Sequence, residues 1–259
     1  MMSGRYIYFR ARNILISLLS PSLLLRLVAW HDRYFGEIEL RHLSRIVPAD
    51  CVALDVGANY GVYSYYLSRI ARQVHAYEPN PGLVQHLRAG CPSNVTVHGV
   101  ALSNTSGNAT LKYPIIKGHI VHGHGTLENR SFEGDVESCS VKMERLDDQG
   151  LDDVGFIKID VEGHEEAVIK GGLNLIARCR PRMLIEIETR HRTKPIGDII
   201  SCIEDLGYHT FHVTNNKSGE AVCISAKDKQ SVAALRGSSQ MINYYFLPKE
   251  GQYQGCFLI

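Results

Sequence analysis

The chain has 259 residues and a mass of 28.9 kDa, and 44% of the residues are hydrophobic, which is enough for one domain with a buried core. Lys and Arg number 28 against 27 Asp and Glu, so the formal charge of +1 provides no overall positive field for a nucleic-acid backbone. The seven cysteines occur singly and in odd number, which disfavours a disulfide framework and favours reduced thiols in the cytoplasm.

Residues 1–45 are predicted to form a helical extension ahead of the main domain, which spans residues 46–259. Three arginines precede an apolar run over residues 14–25, in the manner of a signal peptide. Pro21 interrupts that run, which is also shorter than the ~20 apolar residues of a membrane-spanning helix. We therefore predict helices packed on the domain. A peripheral membrane contact through a basic and apolar face is the alternative, and a cleaved or spanning segment is least favoured.

The first half of the main domain alternates short apolar runs with helical patterns, which is typical of strand-helix-strand units in a mostly parallel sheet. Strands are predicted at residues 52–56, 74–77 and 95–102, with helices over 62–70 and 83–87. Residues 112–138 keep neither period and contain several glycines, so we predict a long loop insertion that lies over a site.

The second half of the chain continues this alternation. Strands are predicted at residues 154–161, 183–187, 208–213, 222–225 and 243–247, and helices at 165–179 and 196–206. The last apolar run follows a turn-bounded strand, which predicts an antiparallel hairpin at the edge of the sheet. The expected architecture is therefore an α/β fold built on a mostly parallel sheet.

The segment from Asp55 to Gly61 lies where a buried strand is predicted to turn into a helix. Gly57 permits a sharp turn, Gly61 lets the helix begin close to a ligand, and Asn59 tolerates a positive φ. The carboxyl edge of a parallel sheet is where open α/β folds bind cofactors, so this turn is a predicted binding site. The alternative is that the glycines serve the turn alone.

Glu78 ends the next predicted strand, where a carboxylate can accept hydrogen bonds from both ribose hydroxyls of a nucleoside. Together with Asp55 it forms an acidic rim that suits the cationic cofactor S-adenosylmethionine better than a pyrophosphate. The spacing Gly57-x-x-x-Gly61 also lacks the middle glycine of the dinucleotide-binding motif, which disfavours NAD.

A third cluster follows the predicted strand at 154–161, where Asp160, Glu162 and His164 occur within five positions. Capping of the next helix by Asp160 or Glu162 would explain these acids without a function. In the doubly wound strand order, however, this strand lies beside the first one. The cluster is therefore expected in the same crevice as Asp55 and Gly57.

Four motifs of the chain resemble those of the FkbM-type methyltransferases. They are DVGAN at 55–59, YEPN at 77–80, ALS at 101–103 and IKIDVEGHE at 157–165. The resemblance spans roughly residues 50–213 and implies a Rossmann-like class I methyltransferase fold, with a mostly parallel seven-stranded sheet, an antiparallel C-terminal edge hairpin and S-adenosylmethionine as the cofactor.

The resemblance also implies roles for the residues of the cofactor site. Asp55 and Gly57 are expected to face the methionine part of the cofactor, Glu78 its ribose, and Ala101 with Leu102 its adenine. The full predicted set is Asp55, Gly57, Ala58, Asn59, Gly61, Glu78, Pro79, Ala101 and Leu102.

Family members mostly methylate hydroxyl oxygens of sugars, glycans, glycolipids or polyketides, so a saccharide or lipid-linked saccharide acceptor is expected. A hydroxyl must lose its proton, and Asp160 and His164 are equal candidates for the base, with Glu162 beside them. A nucleic-acid or protein-nitrogen methyltransferase and a non-catalytic nucleoside-binding module are the alternatives. Near-zero charge disfavours nucleic acid as a partner.

His119, His122 and His124 cluster among glycines, but no spaced Cys or carboxylate completes a metal-ligand set near them. We therefore predict no metal ion and interpret this stretch as part of the loop that covers the substrate.

Overall fold

A computed structural model describes residues 19–116, 119–120, 124–128, 132, 134–187, 195–213, 221–224 and 243–251. The first 18 residues of the predicted helical extension lie outside the described residues, as does much of the predicted insertion at 112–138.

The described residues form helices and strands that alternate along the chain. The helices are α1 (Pro21–Phe35), α2 (Leu43–Ile46), α3 (Val62–Leu67), α4 (Pro81–Gly90), α5 (Glu165–Gly171), α6 (Leu173–Cys179) and α7 (Ile196–Asp205). The strands are β1 (Val52–Val56), β2 (Gln73–Tyr77), β3 (Val95–His98), β4 (Ala101–Ser103), β5 (Gly107–Ile116), β6 (His119–Ile120), β7 (Val136–Arg145), β8 (Val154–Ile159), β9 (Arg182–Glu186), β10 (Tyr208–Val213), β11 (Ala221–Ile224) and β12 (Asn243–Pro248).

The main sheet has the strand order β11-β10-β12-β9-β8-β1-β2-β3. Strands β3, β2, β1, β8 and β9 are parallel, whereas β12 pairs antiparallel with both β9 and β10. This confirms the predicted Rossmann-like α/β fold with an antiparallel C-terminal edge. The sheet has one strand more than the predicted seven, because β11 pairs antiparallel with β10 at that edge.

A second sheet, with the order β4-β7-β5-β6, corrects two sequence-based predictions. The predicted strand at 95–102 is two strands, β3 in the main sheet and β4 in the second. The predicted loop at 112–138 is wrong at both ends, because β5 and β7 pair antiparallel along almost their whole length. Their inward side chains Leu111, Tyr113 and Val141 form a small core of their own, and this burial outweighs the glycine-rich composition.

The two faces of the main sheet bury separate cores, because successive side chains of a strand point to opposite faces. On one face, Ile157 and Ile159 of β8 pack with side chains of α5, α6 and α7. On the other face, Phe156 of β8 packs with Ala29 of α1 and Leu43 of α2. The described part of the N-terminal extension therefore covers a face of the sheet that would otherwise expose apolar side chains to water. Among the described helices, none is long and apolar enough to cross a membrane.

The strand order places a crevice at the carboxyl end of β1. Strand β1 pairs with β2 on one side and with β8 on the other, so the chain changes direction across the sheet at this point. Such switch points leave the carboxyl ends of neighbouring strands uncovered by connecting helices. The residues that follow β1, β2 and β8 consequently converge on one opening.

Candidate cofactor and acceptor site

A cavity opens at the carboxyl edge of β1, β2 and β8 and extends to the wall made by the second sheet. It is lined by Val56, Gly57, Asn59, Tyr77, Glu78, Pro79, Val100, Ala101, Leu102, Leu111, Tyr113, Gly125, Leu127, Asp160, Val161, Glu162 and His164. Six of the nine predicted cofactor residues are in this set, together with all three predicted catalytic residues. The other three, Asp55, Ala58 and Gly61, lie behind the lining.

The turn after β1 has the conformation that its sequence predicts. Gly57 has a φ of 84°, Asn59 of 50° and Gly61 of 83°, all in the left-handed region. A Cβ on Gly57 would lie 1.8 Å from the carbonyl oxygen of Asp160, so the missing side chain makes room for the main chain after β8. The close approach that Gly57 permits is therefore between two segments of the protein, the turn after β1 and the main chain after β8.

Gly61 packs away from the cavity. A Cβ at this position would lie 2.6 Å from Cδ2 of Leu87 in α4 and 3.7 Å from Cδ1 of Leu25 in α1. Its function in the described structure is to let α3, which begins at the next residue, pack closely on these two helices.

Glu78 is buried at the end of β2 and is held by main-chain donors. The amide of Asn59 donates to its Oε2 and the amide of Asn80 to its Oε1, both at 2.8 Å. Burial raises the pKa of Glu78 to about 7, although the two N–H donors favour the ionised form. Each oxygen keeps lone-pair capacity for a further donor from the cavity.

Asp55 is buried inside β1 and accepts a hydrogen bond of 2.5 Å from the hydroxyl of Ser64 in α3. Burial raises the pKa of Asp55 to about 6, and the Ser64 hydroxyl partly offsets this effect. The carboxylate therefore ties β1 to the helix that follows the glycine turn. It lies behind the cavity wall rather than in it.

The wall opposite the glycine turn is largely apolar. Ala101 and Leu102 belong to β4, and Leu111 and Tyr113 belong to β5. Tyr77 also lines the cavity, and its ring stacks on His98 at a centroid distance of 4.6 Å. A flat apolar slot of this kind suits the ring system of a nucleoside base.

Asp160 lies immediately after β8, and its amide donates to the carbonyl of Val56 in β1. The side chain is partly exposed to the cavity. Its carboxylate accepts no hydrogen bond and forms no ion pair with the residues that the structure describes. This acid can therefore receive a proton from a molecule in the cavity.

His164 is engaged at both ring nitrogens. Its Nδ1 lies 2.7 Å from Oε1 of Glu128, and its Nε2 lies 2.9 Å from Oγ of Ser103. Because a carboxylate can only accept, Nδ1 donates to Glu128, and Nε2 of the neutral ring then accepts from the Ser103 hydroxyl. That hydroxyl has a second, more distant acceptor at 3.3 Å, Oδ1 of Asn104.

Residues 124–128 contribute to the cavity lining, and the main chain of Thr126 pairs with that of Lys112 in β5. Two side-chain contacts hold the segment as well. The hydroxyl of Thr126 donates to the carbonyl of Glu162 at 2.9 Å, and Glu128 pairs with His164. Gly125 and Leu127 are the residues of this segment that line the cavity. Glu162 has a φ of 52°, which turns the chain between Asp160 and His164.

Lys158 is a fully buried cation two residues before Asp160, and although burial lowers its pKa, the charges of Asp160 and neighbouring acids raise it above the ordinary value. Its Nζ lies 3.7 Å from Oε2 of Glu186 and 5.0 Å from the centre of the Tyr63 ring. The hydroxyl of Tyr63 donates to Glu37, which follows α1. Burial raises the pKa of Glu37 to about 7, and the nearby Lys158 partly offsets this effect. The N-terminal extension is thus linked to the strand that carries Asp160.

Sequence reasoning missed Ser103, Thr126 and Glu128 as parts of the site. Ser103 belongs to the ALS motif, but its contact with His164 spans 61 positions. Within the described residues, no group of three potential metal ligands comes together. His122 lies outside those residues, and so does the side chain of His119.

The strand order, the glycine turn after β1 and the buried acid after β2 define a nucleoside-cofactor-binding α/β domain of the class I methyltransferase type. The Methyltransferase FkbM domain matches residues 55–210, which is more than half of the chain. The chain therefore belongs to the FkbM methyltransferase family.

Individual relatives with known names share less than a third of their aligned residues with this chain. Hexuronic acid methyltransferase AglP of Haloferax volcanii is 29% identical over 170 residues, which cover 62% of this chain and 66% of the relative. Methyltransferase sdnD of Sordaria araneosa is 29% identical over 161 residues, which cover 48% of this chain and 61% of the relative. The chain thus spans less than two thirds of the length of these relatives. The crystal structure of Methyltransferase FkbM from Methylobacillus flagellatus aligns with 92% of this chain and 58% of its own, at 17% identity and a TM-score of 0.48.

Proposed function

We propose that the chain is an S-adenosylmethionine-dependent O-methyltransferase that acts on a hydroxyl of a carbohydrate, glycolipid or polyketide-like acceptor. One observation carries the proposal: two acids of different kinds line the same cavity. Glu78 is buried and held by main-chain amides, as suits an acid that binds a nucleoside, whereas Asp160 has no hydrogen-bond partner among the described residues. The first suits cofactor binding and the second suits proton removal from an acceptor.

The polar atoms of the cavity fit the proposed cofactor. Glu78 has lone-pair capacity for the ribose hydroxyls after accepting from Asn59 and Asn80. Within the described structure, Oδ1 of Asn59 and the hydroxyl of Tyr77 are buried without a hydrogen-bond partner, and buried polar atoms normally have one. Ala101 and Leu102 provide an apolar slot for adenine.

When bound, S-adenosylmethionine would supply a methyl group that is already activated on a sulfonium. The chain must then align the acceptor hydroxyl and receive its proton. We assign the proton to a carboxylate oxygen of Asp160, because His164 already has partners at both nitrogens. His164 and Glu162 would position the acceptor and the segment 124–128, which lines part of the cavity.

A saccharide acceptor is supported by the relative from Haloferax volcanii, which is named for hexuronic acid. Hydroxyl groups of a sugar suit a site with one accepting carboxylate and several polar side chains. If the acceptor is a lipid-linked saccharide, the protein must work at a membrane surface, and its N-terminal segment would provide the contact.

The proposal is tested by incubating the full chain with methyl-labelled S-adenosylmethionine and separate pools of free saccharides, lipid-linked saccharides, RNA and protein. We expect label on a hydroxyl oxygen of a saccharide pool, and labelling that is slower by ~10²–10⁴-fold with the Asp160→Asn variant. Label on RNA or on protein nitrogen would support the alternative acceptor class. Cofactor binding without transfer to any pool would support a nucleoside-binding module.

A further inference from the structure

Helix α1 is apolar on two opposite faces. Its inner face buries Leu24, Leu25, Val28 and Ala29 against the domain. Its outer face exposes five large apolar side chains, which we call the outer stripe: Leu23, Leu27, Trp30, Tyr34 and Phe35. These positions follow helical spacing, and a surface helix normally carries polar residues on that side.

The outer stripe is the largest concentration of exposed apolar side chains in the described part of the chain. Seven large hydrophobic residues are exposed there, and five of them are in this stripe. Trp30 is 56% exposed and Phe35 72% exposed. The ring of Trp30 contacts those of Tyr34 and Phe35, with centroids 5.4 and 6.1 Å apart, so the aromatic surface is continuous. Contiguous patches of this kind mark interaction sites.

The charges of α1 and of the sequence before it indicate the kind of partner. Arg26 is exposed beside Leu27 on α1, whereas Asp32, the one acid of this helix, pairs with the neighbouring His31. The 18 residues before the described part of the chain contain Arg5, Arg10 and Arg12 and no acidic residue, and most of the others are apolar. Two copies of the chain that met through this helix would bring these like charges together, whereas an anionic surface would neutralise them.

We propose that the outer stripe docks α1 onto an anionic lipid surface, with the helix lying in the plane of the membrane interface. Trp and Tyr favour this interface because their rings are apolar and their polar atoms remain hydrated. The 15 residues of α1 are too few to span a bilayer, but they suit an interfacial helix that inserts one face. Five side chains also fall short of the ~20–30 residues that each side of a standard protein interface contributes.

Docking through α1 would hold α3 and α4, the helices that follow β1 and β2, close to the membrane. The helix packs on α3 and α4, and Leu25 in α1 reaches to within 3.7 Å of where a Cβ of Gly61 would lie. An acceptor that carries a lipid would then be presented to an enzyme on the same surface. This last step rests on the proposed function, whereas the lipid contact itself does not.

Trp30 is the only tryptophan of the chain, so tryptophan fluorescence, excited selectively over that of the tyrosines, reports on the stripe alone. The full chain is mixed with vesicles of phosphatidylcholine, with or without phosphatidylglycerol, in the absence of cofactor. We expect sedimentation with the anionic vesicles, a blue shift of the Trp30 emission, and quenching by brominated acyl chains. Added salt should weaken the binding, because it screens the arginines.

Substitutions inside and outside the outer stripe test whether this stripe makes the contact with lipid. Leu27→Ser and Phe35→Ser should each lower the partition coefficient on anionic vesicles about tenfold, because each removes a large apolar side chain from the interface. Leu173→Ser, at an exposed leucine of α6, is the matched control and should leave partitioning unchanged.

Three results would overturn the lipid contact. The first is the absence of both sedimentation and a spectral shift with either vesicle. The second is a concentration-dependent dimer with blue-shifted Trp30 emission in the absence of lipid, which would assign the stripe to a second copy. The third is a blue-shifted monomer without lipid, which would assign it to the segment 1–18. Methyl transfer is measured separately, so a failure of the proposed function leaves these readouts unchanged.

Discussion

The two sides of the cavity hold their acids in different ways. On the side of β1 and β2, which we call the cofactor edge, Asp55 and Glu78 are buried and accept hydrogen bonds from neighbouring protein groups. On the side of β8, which we call the acceptor edge, Asp160 is partly exposed and has no hydrogen-bond partner among the described residues. The first arrangement fixes a carboxylate in place, and the second leaves one available for proton transfer.

The difference extends to what holds each edge. At the cofactor edge, most contacts come from main-chain amides within a few residues of β1 and β2. At the acceptor edge, His164 is held by side chains from β4 and from segment 124–128, which are distant in sequence. The geometry around Glu78 is therefore determined locally, whereas the surroundings of His164 depend on the tertiary fold.

Asp160→Asn should have the largest effect on turnover. The amide preserves the shape of the side chain but cannot accept the hydroxyl proton, so the methyl-transfer rate should fall ~10²–10⁴-fold. Cofactor affinity, measured by calorimetry, should stay within about a factor of two, because Asp160 does not hold the cofactor in this proposal. Parental turnover of the variant with its acceptor would contradict the assignment of the base.

Gly57→Ala tests whether the two edges depend on one close contact. The new Cβ would lie 1.8 Å from the carbonyl of Asp160 at a φ of 84°, so we expect the free energy of unfolding to fall by about 3 kcal/mol or more. Gly150→Ala is the matched control, with a φ of 63° and nothing within 4 Å, and it should cost about 1 kcal/mol. Denaturant titration measures both. Equal losses of unfolding free energy in the two variants would show that the positive φ, and not the contact with the Asp160 carbonyl, causes the destabilisation.

Glu78→Gln should weaken cofactor binding by ~10–150-fold, because charge-assisted hydrogen bonds worth about 1.5–3 kcal/mol are lost. In the parent, the pKa of about 7 means that Glu78 loses its charge as the pH falls through 7. Affinity should therefore increase as the pH rises from about 6 to about 8. The variant provides the control, and its affinity should not change over that range. A pH-independent parent would contradict the role of Glu78.

The raised pKa of Glu78 also has a consequence for stability without cofactor. The folded state holds the proton more tightly than the unfolded state, whose pKa is near the ordinary value of 4.5. Stability should therefore decrease as the pH rises from about 4.5 to about 7, and Glu78→Gln should remove this contribution. Unfolding at several pH values measures the slope.

The contact between Glu128 and His164 should have the smallest effect, since Glu128 is 42% exposed and such pairs contribute ~0–1 kcal/mol. Glu128→Gln should lower turnover by a few-fold without changing cofactor affinity. A double-mutant cycle with His164→Gln should give a coupling energy of about 0.5 kcal/mol or more. Glu144→Gln, at an acid that pairs with Lys142 instead, is the control. Additive effects at positions 128 and 164 would contradict a positioning role.

The sequence predicted the cofactor edge better than the acceptor edge. The positive φ values at Gly57, Asn59 and Gly61 follow from local sequence, because few residue types tolerate that conformation. The strands β1, β2 and β8 were predicted from their apolar runs to within about two residues. By contrast, the contacts of His164 depend on side chains 36 and 61 positions away, which no local pattern indicates.

The second sheet could have been predicted in part. Apolar residues alternate with polar ones at Ala109, Leu111 and Tyr113, and again at Cys139, Val141 and Met143. The glycines between these runs favoured a loop, and they outweighed this signal in the sequence-based interpretation. Strand β11 was predicted at 222–225, within one residue of its position, but its place as the eighth strand of the main sheet was not, because that place depends on pairing with β10.

The contact between Gly57 and the carbonyl of Asp160 joins the two edges through main chain alone. The separation between the turn after β1 and the main chain at Asp160 is thus set without any side chain that mutation could shorten or lengthen. Substitutions elsewhere around the cavity can change its shape, while the spacing between these two main-chain segments is inherited with the backbone. Such a division lets one scaffold diversify in substrate without redesigning its reactive geometry.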